Sequence, residues 1–303
     1  MSPNGPAEPL HVACAVEGEA YLRHCATMLH SLLSHHPGAP IRIDCLHCGD
    51  NSPRSRARIA DMVRAMGSEL TFHQVSDHWV SGLPVNGFTG KATWYRISLD
   101  RLLPDADRVL FLDVDLLVRD SLAPLWAVPL QGAVVAAVTN VPPPEFRAYT
   151  ERPELGGDRY FNAGVLVIDL AQIRRDGVGD ELRAFARANA ARLQWRDQDA
   201  LNEVLHGRRL PLHPRWNFMN SMAVYPQARD YFDQGELEKA RRHPAIRHFE
   251  GPGLNKPWHL LCDPAMRRLY ARHRAQTPWR RAPVAGATPM NLGRLARRRF
   301  GYM

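Results

Sequence analysis

The stretch RVLFLDVDLLV, residues 108–118, decides the fold, because it places two carboxylates inside an apolar run typical of a buried strand. Burying unpaired carboxylates costs much free energy, so Asp113 and Asp115 must reach water at the strand end or share a cation. Residues two apart on a regular strand point to the same side, so the two side chains can present their oxygens together. If the strand bends at its end, they diverge and can flank one ion.

Strands and helices alternate on the N-terminal side of this stretch. Apolar runs predict strands over 10–16, 41–48 and 69–75, and helical periodicity predicts helices over 19–36, up to Gly67, and over 93–103. This alternation predicts a mostly parallel, twisted α/β sheet flanked by helices, with the opening stretch as its fourth strand.

The chain after the opening stretch continues the alternation and adds a long loop. Strands are predicted over 133–140 and 160–170, and helices over about 180–193 and 197–207. The Pro-rich segment 141–159 is predicted to be a lid or substrate-binding loop. Ligands of open α/β sheets bind beyond the carboxyl ends of the strands, and four polar residues lie where strands give way to loops: Asp113, Asp115, Asn140 and Asn162.

The composition is that of an ordinary soluble globular protein, with 45% hydrophobic and 23% charged residues in 303. No apolar run approaches the roughly 20 residues that span a membrane. The N-terminal segment has no basic region before its apolar residues, so no signal peptide is predicted and a cytoplasmic location is expected.

The positive charge is concentrated in the C-terminal segment. Residues 264–303 hold ten arginines and no lysine or acidic residue, so from the total of +8 the rest of the chain carries −2 (8 − 10). The nearly neutral body does not indicate nucleic-acid binding. The arginines, with Trp279, Leu292, Leu295, Phe300 and Tyr302, suit peripheral contact with an anionic membrane, and a disordered solubilising tail is the alternative.

Five cysteines, an odd number, do not indicate a disulfide framework. Cys45 and Cys48 form a CxxC pair, but no second pair follows at zinc-site spacing. Buried structural thiols are therefore favoured over metal or redox use.

Carboxylate oxygens in a D-x-D pair suit Mg²⁺ or Mn²⁺, which commonly complete their shell with substrate phosphates. Two enzyme classes use such a pair. Haloacid-dehalogenase-type phosphatases use the first Asp as a nucleophile, but their motif lies on the first strand and a later acidic pair holds the metal. Here the motif lies on the fourth strand and no such pair follows. In nucleotide-sugar-dependent glycosyltransferases the pair holds a metal on a nucleoside diphosphate.

The chain resembles glycosyltransferase family 8, notably the bacterial lipopolysaccharide galactosyltransferases and, more distantly, glycogenin. Five ordered blocks within residues 10–262 carry the resemblance: WYRISLDRLLPDADRVLFLDVDLLVRDSLAPLW (94–126), YFNAGVLVIDL (160–170), DQDALNEVL (197–205), HPRWNFMN (213–220) and HFEGPGLNKPWH (248–259). The resemblance implies a single GT-A-type nucleotide-binding domain over 8–262, followed by a basic helix and tail over 263–303. It also implies retaining, metal-dependent transfer of a hexose, from UDP-glucose or UDP-galactose, to a saccharide or lipid-linked acceptor.

The resemblance also implies roles for individual residues. Asp113, Asp115 and His248 would hold Mn²⁺ or Mg²⁺, and Lys256 would stabilise the departing diphosphate. The nucleotide-sugar would contact Glu17, Arg96, Asp113, Val114, Asp115, Asn140, Gly251 and Lys256. The catalytic residues would be Gln198, Asp197 and Asn162, although Asp197 is equally suited to capping a helix.

Three departures from the family pattern affect the donor. The family commonly places an acidic residue that contacts uracil just after the first strand, where this chain has Ala15 and Val16, and Glu17 is the substitute. Asn140 stands where the family commonly has Asp. Two residues more than usual separate Gly251 from Lys256, so the path of this loop is not copied from the family.

Retention by double displacement needs a carboxylate nucleophile near the anomeric carbon, and no residue here is an obvious one. A same-face mechanism is therefore favoured, in which the leaving diphosphate helps deprotonate the acceptor and Gln198 and Asp197 support an oxocarbenium-like state. The acceptor is expected to contact loops 76–92 and 141–159. A non-catalytic nucleotide-sugar-binding protein is the alternative, although it would have no reason to keep Asp113, Asp115, His248 and Lys256 together.

Overall fold

A seven-stranded sheet forms the centre of the protein. The computed structural model describes residues 9–85, 90–151, 159–251 and 253–300, with side chains up to residue 295. The strands are β1 (His11–Val16), β2 (Arg42–His47), β3 (Glu69–Gln74), β4 (Arg108–Leu112), β5 (Leu116–Val118), β6 (Val135–Thr139), β7 (Phe161–Asp169), β8 (Arg209–Pro211) and β9 (Ile246–His248). The order in the large sheet is β3-β2-β1-β4-β7-β6-β8, and β5 pairs with β9 separately.

The first four strands of the large sheet follow the predicted pattern. β1 pairs in parallel with β2 and β4, and β2 pairs in parallel with β3. The central strands β1 and β4 are buried along nearly their whole length, which explains why they are continuous apolar runs rather than alternating ones. The predicted mostly parallel α/β sheet is confirmed.

Strand β7 runs antiparallel to both of its neighbours, β4 and β6. Its beginning therefore lies at the edge of the sheet where β4 and β6 end. The amide of Asp113 donates to the carbonyl of Gly164 at 2.8 Å, and the amide of Asn140 donates to that of Tyr160 at 2.8 Å. This reversal brings Asn162, near the start of β7, to the same edge as the two residues that follow β4 and β6.

Helices cover both faces of the sheet. They are α1 (Gly18–Ser34), α2 (Pro53–Ala65), α3 (Lys91–Trp94), α4 (Leu99–Leu102), α5 (Ala123–Trp126), α6 (Arg147–Thr150), α7 (Leu170–Asp176), α8 (Val178–Ala188), α9 (Asp197–Val204), α10 (Asn220–Val224), α11 (Gln234–Arg242), α12 (Pro264–Arg274) and α13 (Pro289–Phe300). The helix predicted over 93–103 is instead broken into α3, a 3₁₀ turn at Tyr95–Ser98, and α4.

Alternate residues of β4 enter two separate apolar cores. Leu110 and Leu112 pack into the core that also holds Leu29 of α1 and Ile59 of α2. Val109 and Phe111 pack into the other core, with residues of α4, α7, α8 and α9. Both faces of the central strand are thereby covered, as a parallel α/β sheet requires.

The C-terminal segment packs against the N-terminal helix. His24 of α1 lies 2.6 Å from the hydroxyl of Tyr270 of α12 and stacks on Trp258 with ring centroids 3.5 Å apart. The amide of Leu260 donates to the carbonyl of Ala285 at 2.8 Å, so residues up to 285 remain attached to the body. The proposed division between 8–262 and 263–303 stays a prediction.

The tail residues expected to face a membrane differ in how much of their surface is exposed. Trp279 is half-buried against the core, with the Arg58 guanidinium over its ring, and so does not belong to an exposed apolar face. Met290 and Leu292 of α13 are exposed, and Leu295 is half-buried. The side chain of Phe300 and all of Tyr302 lie outside the described residues. Within the described residues, no helix combines the length and the apolar character needed to cross a bilayer.

All five cysteines lie in the described part of the chain and are free. Cys14 on β1, Cys25 on α1 and Cys45 on β2 are fully buried, with the first two sulfurs 3.8 Å apart. Cys45 clusters with these two rather than with Cys48, its partner in the CxxC pair.

Candidate active site

A cleft of about 970 Å³ opens at the edge where β1, β4 and β6 end and β7 begins. Eleven of the residues singled out in the sequence line it: Glu17, Arg96, Asp113, Val114, Asp115, Asn140, Asn162, Asp197, Gln198, His248 and Gly251. Lys256 lies beside the cleft, bonded to one of them. The topology thus brings together residues that are up to about 240 positions apart in the chain.

Asp113 and Asp115 lie in the turn that joins β4 to β5, so they are not on a regular strand. β5 pairs antiparallel with β9, and Leu116 stands opposite His248 in the register. The Nε2 atom of His248 lies 3.3 Å from Asp115 Oδ1 and 3.8 Å from Asp113 Oδ2. These three side chains form the carboxylate–imidazole cluster, whose ligand atoms lie within 4.8 Å of one another. The bent strand end therefore lets the carboxylates flank one ion.

Gly164 makes room for this cluster. A Cβ atom at this position would lie 2.8 Å from Asp113 Oδ2 and closer still to the His248 ring. Any other residue would push the imidazole or the carboxylate aside. This glycine is part of the FNAGV segment, but nothing in the neighbouring sequence predicts that position 164 contacts position 248.

The charges of the cluster are balanced by Lys256. Its ammonium group bonds to Asp115 Oδ2 and to the Phe249 carbonyl. Burial alone would raise the pKa of Asp115, but the charges of Lys256 and His248 outweigh it and hold that pKa well below its usual range. Burial opposes the charged forms of Lys256 and His248, yet Asp115 raises the pKa of both. Asp115 is therefore a carboxylate, the form that a divalent cation requires.

Arg96 joins the cluster to Asp197. Its guanidinium donates to Asp113 Oδ1 at 2.8 Å, and its Nε lies 2.7 Å from Asp197 Oδ2. Burial raises the pKa of Asp197 to about 7, although Arg96 opposes this, while the charge of Asp113 adds to it. Helix α9 begins at Asp197, and the N-cap position belongs to Arg196, so the interpretation of Asp197 as the N-cap is wrong.

Backbone amides orient Gln198 and Asn162. Gln198 Oε1 accepts from the Ala163 amide at 2.9 Å and from Asn162 Nδ2 at 3.1 Å. Asn162 Oδ1 accepts from the Gly164 amide at 2.9 Å and from Asn217 Nδ2 at 2.8 Å. Asn217, which sequence reasoning missed, also contacts Nδ1 of His248 at 2.9 Å. Its only sequence signal is a place in the HPRWNFMN block.

The other residues singled out lie along the walls of the cleft. Glu17 accepts from the Ala92 amide at 3.2 Å and packs against Gly90, which has no room for a Cβ. Asn140 is buried at the end of β6. Gly251 has a φ of 90°, a left-handed conformation that favours glycine, where the loop towards Lys256 begins. Pro252 in that loop lies outside the described residues.

Part of the cleft wall consists of residues in turns and a short helix that were not predicted individually, although one of them lies in the expected loop 141–159. Pro143, Trp195, Val224 and Tyr225 line it and are named the loop wall. Trp195 contacts the rings of Phe146, Tyr149 and Tyr160, with centroids 5.2, 5.5 and 5.6 Å away. Of the loops expected to contact an acceptor, residues 86–89 and 152–158 lie outside the described residues.

Solved structures share this fold. The galactosyltransferase LgtC, solved in complex with donor and acceptor sugar analogs, is similar with a TM-score of 0.77 and 28% identity, covering 89% of this chain and 96% of that chain. WbbM, a bifunctional glycosyltransferase, has a similar fold with a TM-score of 0.73, 22% identity, and coverage of 92% of this chain and 52% of that chain. The fold and the cleft define a glycosyltransferase of the GT-A-like class.

Sequence similarity identifies the family. The profile of glycosyl transferase family 8 matches residues 11–262, and this chain belongs to that family. General stress protein A of Bacillus subtilis (strain 168) is 27% identical over 274 residues, which cover 88% of this chain and 93% of that protein. Lipopolysaccharide 1,2-glucosyltransferase of Escherichia coli (strain K12) is 25% identical over 226 residues, 74% of this chain and 65% of that protein. The predicted family is confirmed, and the phosphatase alternative is wrong.

Proposed function

We propose that this enzyme transfers a hexose from a UDP-sugar, glucose or galactose, to a saccharide or lipid-linked acceptor with retention of anomeric configuration. The observation that carries the proposal is the carboxylate–imidazole cluster at a cleft of about 970 Å³. The names of similar proteins support the choice of hexose, because they include a galactosyltransferase and a lipopolysaccharide glucosyltransferase.

The cluster fits a resident divalent cation, Mn²⁺ or Mg²⁺. Two carboxylates and one imidazole offer oxygen and nitrogen ligands, and Gly164 keeps the space beside them clear. When bound, such a cation neutralises the charge that develops on the departing diphosphate. Lys256 adds an ammonium group at the same place, and its proton donors stabilise that charge as well.

Arg96, Asn162 and Gln198 would orient the hexose. The guanidinium of Arg96 ties Asp113 to Asp197, so the diphosphate end and the sugar end of the donor site keep a fixed separation. Asp197 is buried and already paired with a cation, which makes it a poor nucleophile. We therefore favour the same-face mechanism, in which the acceptor proton passes to the leaving diphosphate while Gln198 and Asp197 support positive charge on the sugar. Trapping a covalent glycosyl group on Asp197 would contradict it.

Glu17 would contact the base of the nucleotide. It lies after β1, where Gly90 and the Ala92 amide hold its carboxylate. A carboxylate there accepts a hydrogen bond from the N3–H of uracil, which cytosine lacks. Glu17→Gln should accordingly weaken UDP binding relative to CDP, and equal losses for the two nucleotides would remove Glu17 from this role.

The proposed catalytic activity is tested by a donor panel. UDP- and GDP-sugars are incubated with the protein, with and without Mn²⁺, and nucleotide release is measured with and without saccharide acceptors. Metal-stimulated release from a UDP-hexose is expected, followed by a retained anomer in the NMR spectrum of the product. Failure of every donor to release nucleotide would contradict the proposal.

The C-terminal helix is proposed to contact an anionic membrane from the cytoplasmic side. α13 exposes Met290 and Leu292 beside Arg294, and basic residues near an anionic leaflet contribute about 1 kcal/mol each. Truncation after residue 287 is the appropriate variant, because Ala285 pairs with Trp258 and Leu260 of the body. The full chain should bind phosphatidylserine-containing vesicles and the truncated chain should not, while neither binds phosphatidylcholine vesicles. Equal binding by the two chains would contradict this attachment.

A further inference from the structure

Asn217 is a fully buried amide at the end of the 3₁₀ turn Pro214–Asn217. It lies between the candidate metal ligand His248 and the candidate sugar ligand Asn162, and it contacts both. An amide can donate from its nitrogen and accept at its oxygen, so its orientation decides what each neighbour does.

Backbone donors determine the orientation of every amide in this chain of contacts. The Gly164 amide can only donate, so the Asn162 atom that it contacts is Oδ1. The Asn217 atom facing this oxygen at 2.8 Å must then be the donor Nδ2. The remaining Asn217 atom is Oδ1, and it faces Nδ1 of His248 at 2.9 Å. An oxygen acceptor requires a donor, so the proton of the imidazole is on Nδ1.

The same reasoning extends to Gln198. The Ala163 amide identifies the Gln198 atom that it contacts as Oε1, and this oxygen also accepts from Asn162 Nδ2 at 3.1 Å. A continuous chain of hydrogen bonds thus runs from the His248 ring through Asn217 and Asn162 to the Gln198 side chain. Reversing Asn217 would place its oxygen against Asn162 Oδ1, where no donor would remain between them.

We propose that Asn217 is a positioning residue that fixes Nδ1 as the protonated nitrogen of His248, leaving Nε2 to face Asp113 and Asp115 as a metal ligand. The Nδ2 group of Asn217 also donates to Asn162, which in turn donates to Gln198. The metal-ligand part of this inference rests on the proposed function. Ligating histidines generally donate their second ring nitrogen to a partner, and losing that partner typically costs about 10–100-fold in metal affinity.

Replacing Asn217 by Asp separates the two contacts. A carboxylate still accepts from Nδ1 of His248, but it cannot donate to Asn162 Oδ1. Asn217→Ala removes both contacts. Asn202→Ala is the matched control, because Asn202 is also buried and bonds to both backbone groups of Phe161 but does not contact His248. The thermal unfolding temperature of each variant shows whether a loss of Mn²⁺ affinity comes from a general loss of folding stability.

Two measurements test the inference without relying on turnover. The ring N–H of His248, observed in the metal-free protein labelled with ¹⁵N-histidine, should be a slowly exchanging Nδ1–H in the wild type and in Asn217→Asp, and should be lost in Asn217→Ala. Mn²⁺ alone, titrated by electron paramagnetic resonance, should bind Asn217→Ala about 10–100-fold more weakly, and Asn217→Asp within about threefold of the wild type. Asn202→Ala should bind Mn²⁺ normally.

The outcomes separate this inference from the proposed function. Wild-type Mn²⁺ affinity in Asn217→Ala, or an unprotonated Nδ1 in the wild type, would overturn the inference. Equal loss of affinity in Asn217→Ala and Asn202→Ala would also overturn it, since it would show a purely structural effect. A wild-type protein with the Nδ1–H signal but no affinity for Mn²⁺ would instead contradict the proposed metal site, and with it the ligand role of Nε2. In Asn217→Asp, kcat for UDP-hexose should fall while the affinity for Mn²⁺ stays within about threefold of the wild type.

Discussion

The carboxylate–imidazole cluster is fixed by paired strands, with His248 on β9 and the two carboxylates in the short turn between β4 and β5, whereas the loop wall of the same cleft sits on longer turns and short helices. The amide of Asp113 donates to Gly164, that of His248 to Phe218, and that of Phe249 to the Asp115 carbonyl, at 2.8 to 3.0 Å. In the loop wall the hydrogen bonds are local ones within turns, from the Tyr225 amide to the Ser221 carbonyl and from the Phe146 amide to the Pro143 carbonyl, and Trp195 packs on neighbouring aromatic rings. Val224 of the loop wall leaves 70% of its surface exposed, compared with 2% for His248.

This difference matches the two tasks of a transferase. Chemistry at the diphosphate needs charged groups held within tenths of an ångström, which strand pairing provides. Recognition of a particular acceptor is supplied by loops carried on a rigid scaffold. Substitutions in the cluster should therefore affect every donor and acceptor alike, whereas substitutions in the loop wall should affect transfer to the acceptor and leave donor cleavage unchanged.

Asp115→Asn should give the largest loss, about a thousandfold in metal-stimulated nucleotide release. The substitution removes a ligand charge, leaves Lys256 without its carboxylate partner and leaves His248 with only the more distant Asp113. Nucleotide release is measured at saturating Mn²⁺, with Asp120→Asn as the control, because Asp120 pairs with Arg215 on the surface. Loss of less than tenfold would mean that the cluster does not act on the diphosphate.

Gly164→Ala should cost about a hundredfold in the same assay, together with a weaker affinity for Mn²⁺. The added Cβ displaces His248 or Asp113 without changing any ligand. Gly293→Ala is the control, because a Cβ on that glycine meets no atom within 4 Å. A fully active Gly164→Ala protein would show that the cluster tolerates movement, and the contrast with the loop wall would disappear.

Trp195→Ala should reduce transfer to the acceptor about tenfold and leave release of nucleotide to water unchanged, since aromatic side chains of a cleft wall supply contact area for a ligand. Trp195→Phe keeps an aromatic ring and should recover most of the transfer. The measurement is kcat/KM for the acceptor, compared with hydrolysis of the donor alone. Equal losses in both reactions would place Trp195 with the cluster rather than with the acceptor.

The smallest effect concerns stability in a third region, the contact between α1 and α12. Burial, with a smaller contribution from Arg23, lowers the pKa of His24 to about 3, below the value of about 6.5 in an unfolded chain. The neutral form of His24 contributes its full share to the free energy of unfolding above pH 6.5. That contribution falls as the pH drops towards 3, by about 1 kcal/mol between pH 6.5 and 5.5. His24→Phe keeps the stacking on Trp258 and should lack this loss in denaturant unfolding. Parallel pH profiles of the two proteins would contradict it.

Strand positions were predictable because fully buried strands are continuous apolar runs, as in RVLFL and YFNAGVLVID. The direction of a strand leaves no such trace, since an apolar run is the same in a parallel or an antiparallel pairing. The reversal of β7 was therefore not predicted, although it places Asn162 beside Asp113. The helix over 93–103 was too regular in sequence to reveal the 3₁₀ turn that aims Arg96 at the cleft.

The candidate site shows the same limit. Asp113, Asp115 and His248 were named from motif blocks, and the structure brings them together. Gly164 and Asn217 were not named, because each acts through a contact between distant parts of the chain. Trp279 was assigned to a membrane-facing tail on composition, but it packs on the body. Composition cannot distinguish an aromatic residue that meets a lipid from one that meets a neighbouring helix.

Anomalous diffraction at the manganese edge, from crystals grown with Mn²⁺ and UDP, tests the central claim most directly. The predicted result is one strong peak contacting the carboxylates of Asp113 and Asp115 and Nε2 of His248, with diphosphate oxygens completing the shell. A peak at the more exposed group of Glu17, Cys48 and Asp50, with none at the carboxylate–imidazole cluster, would contradict the account.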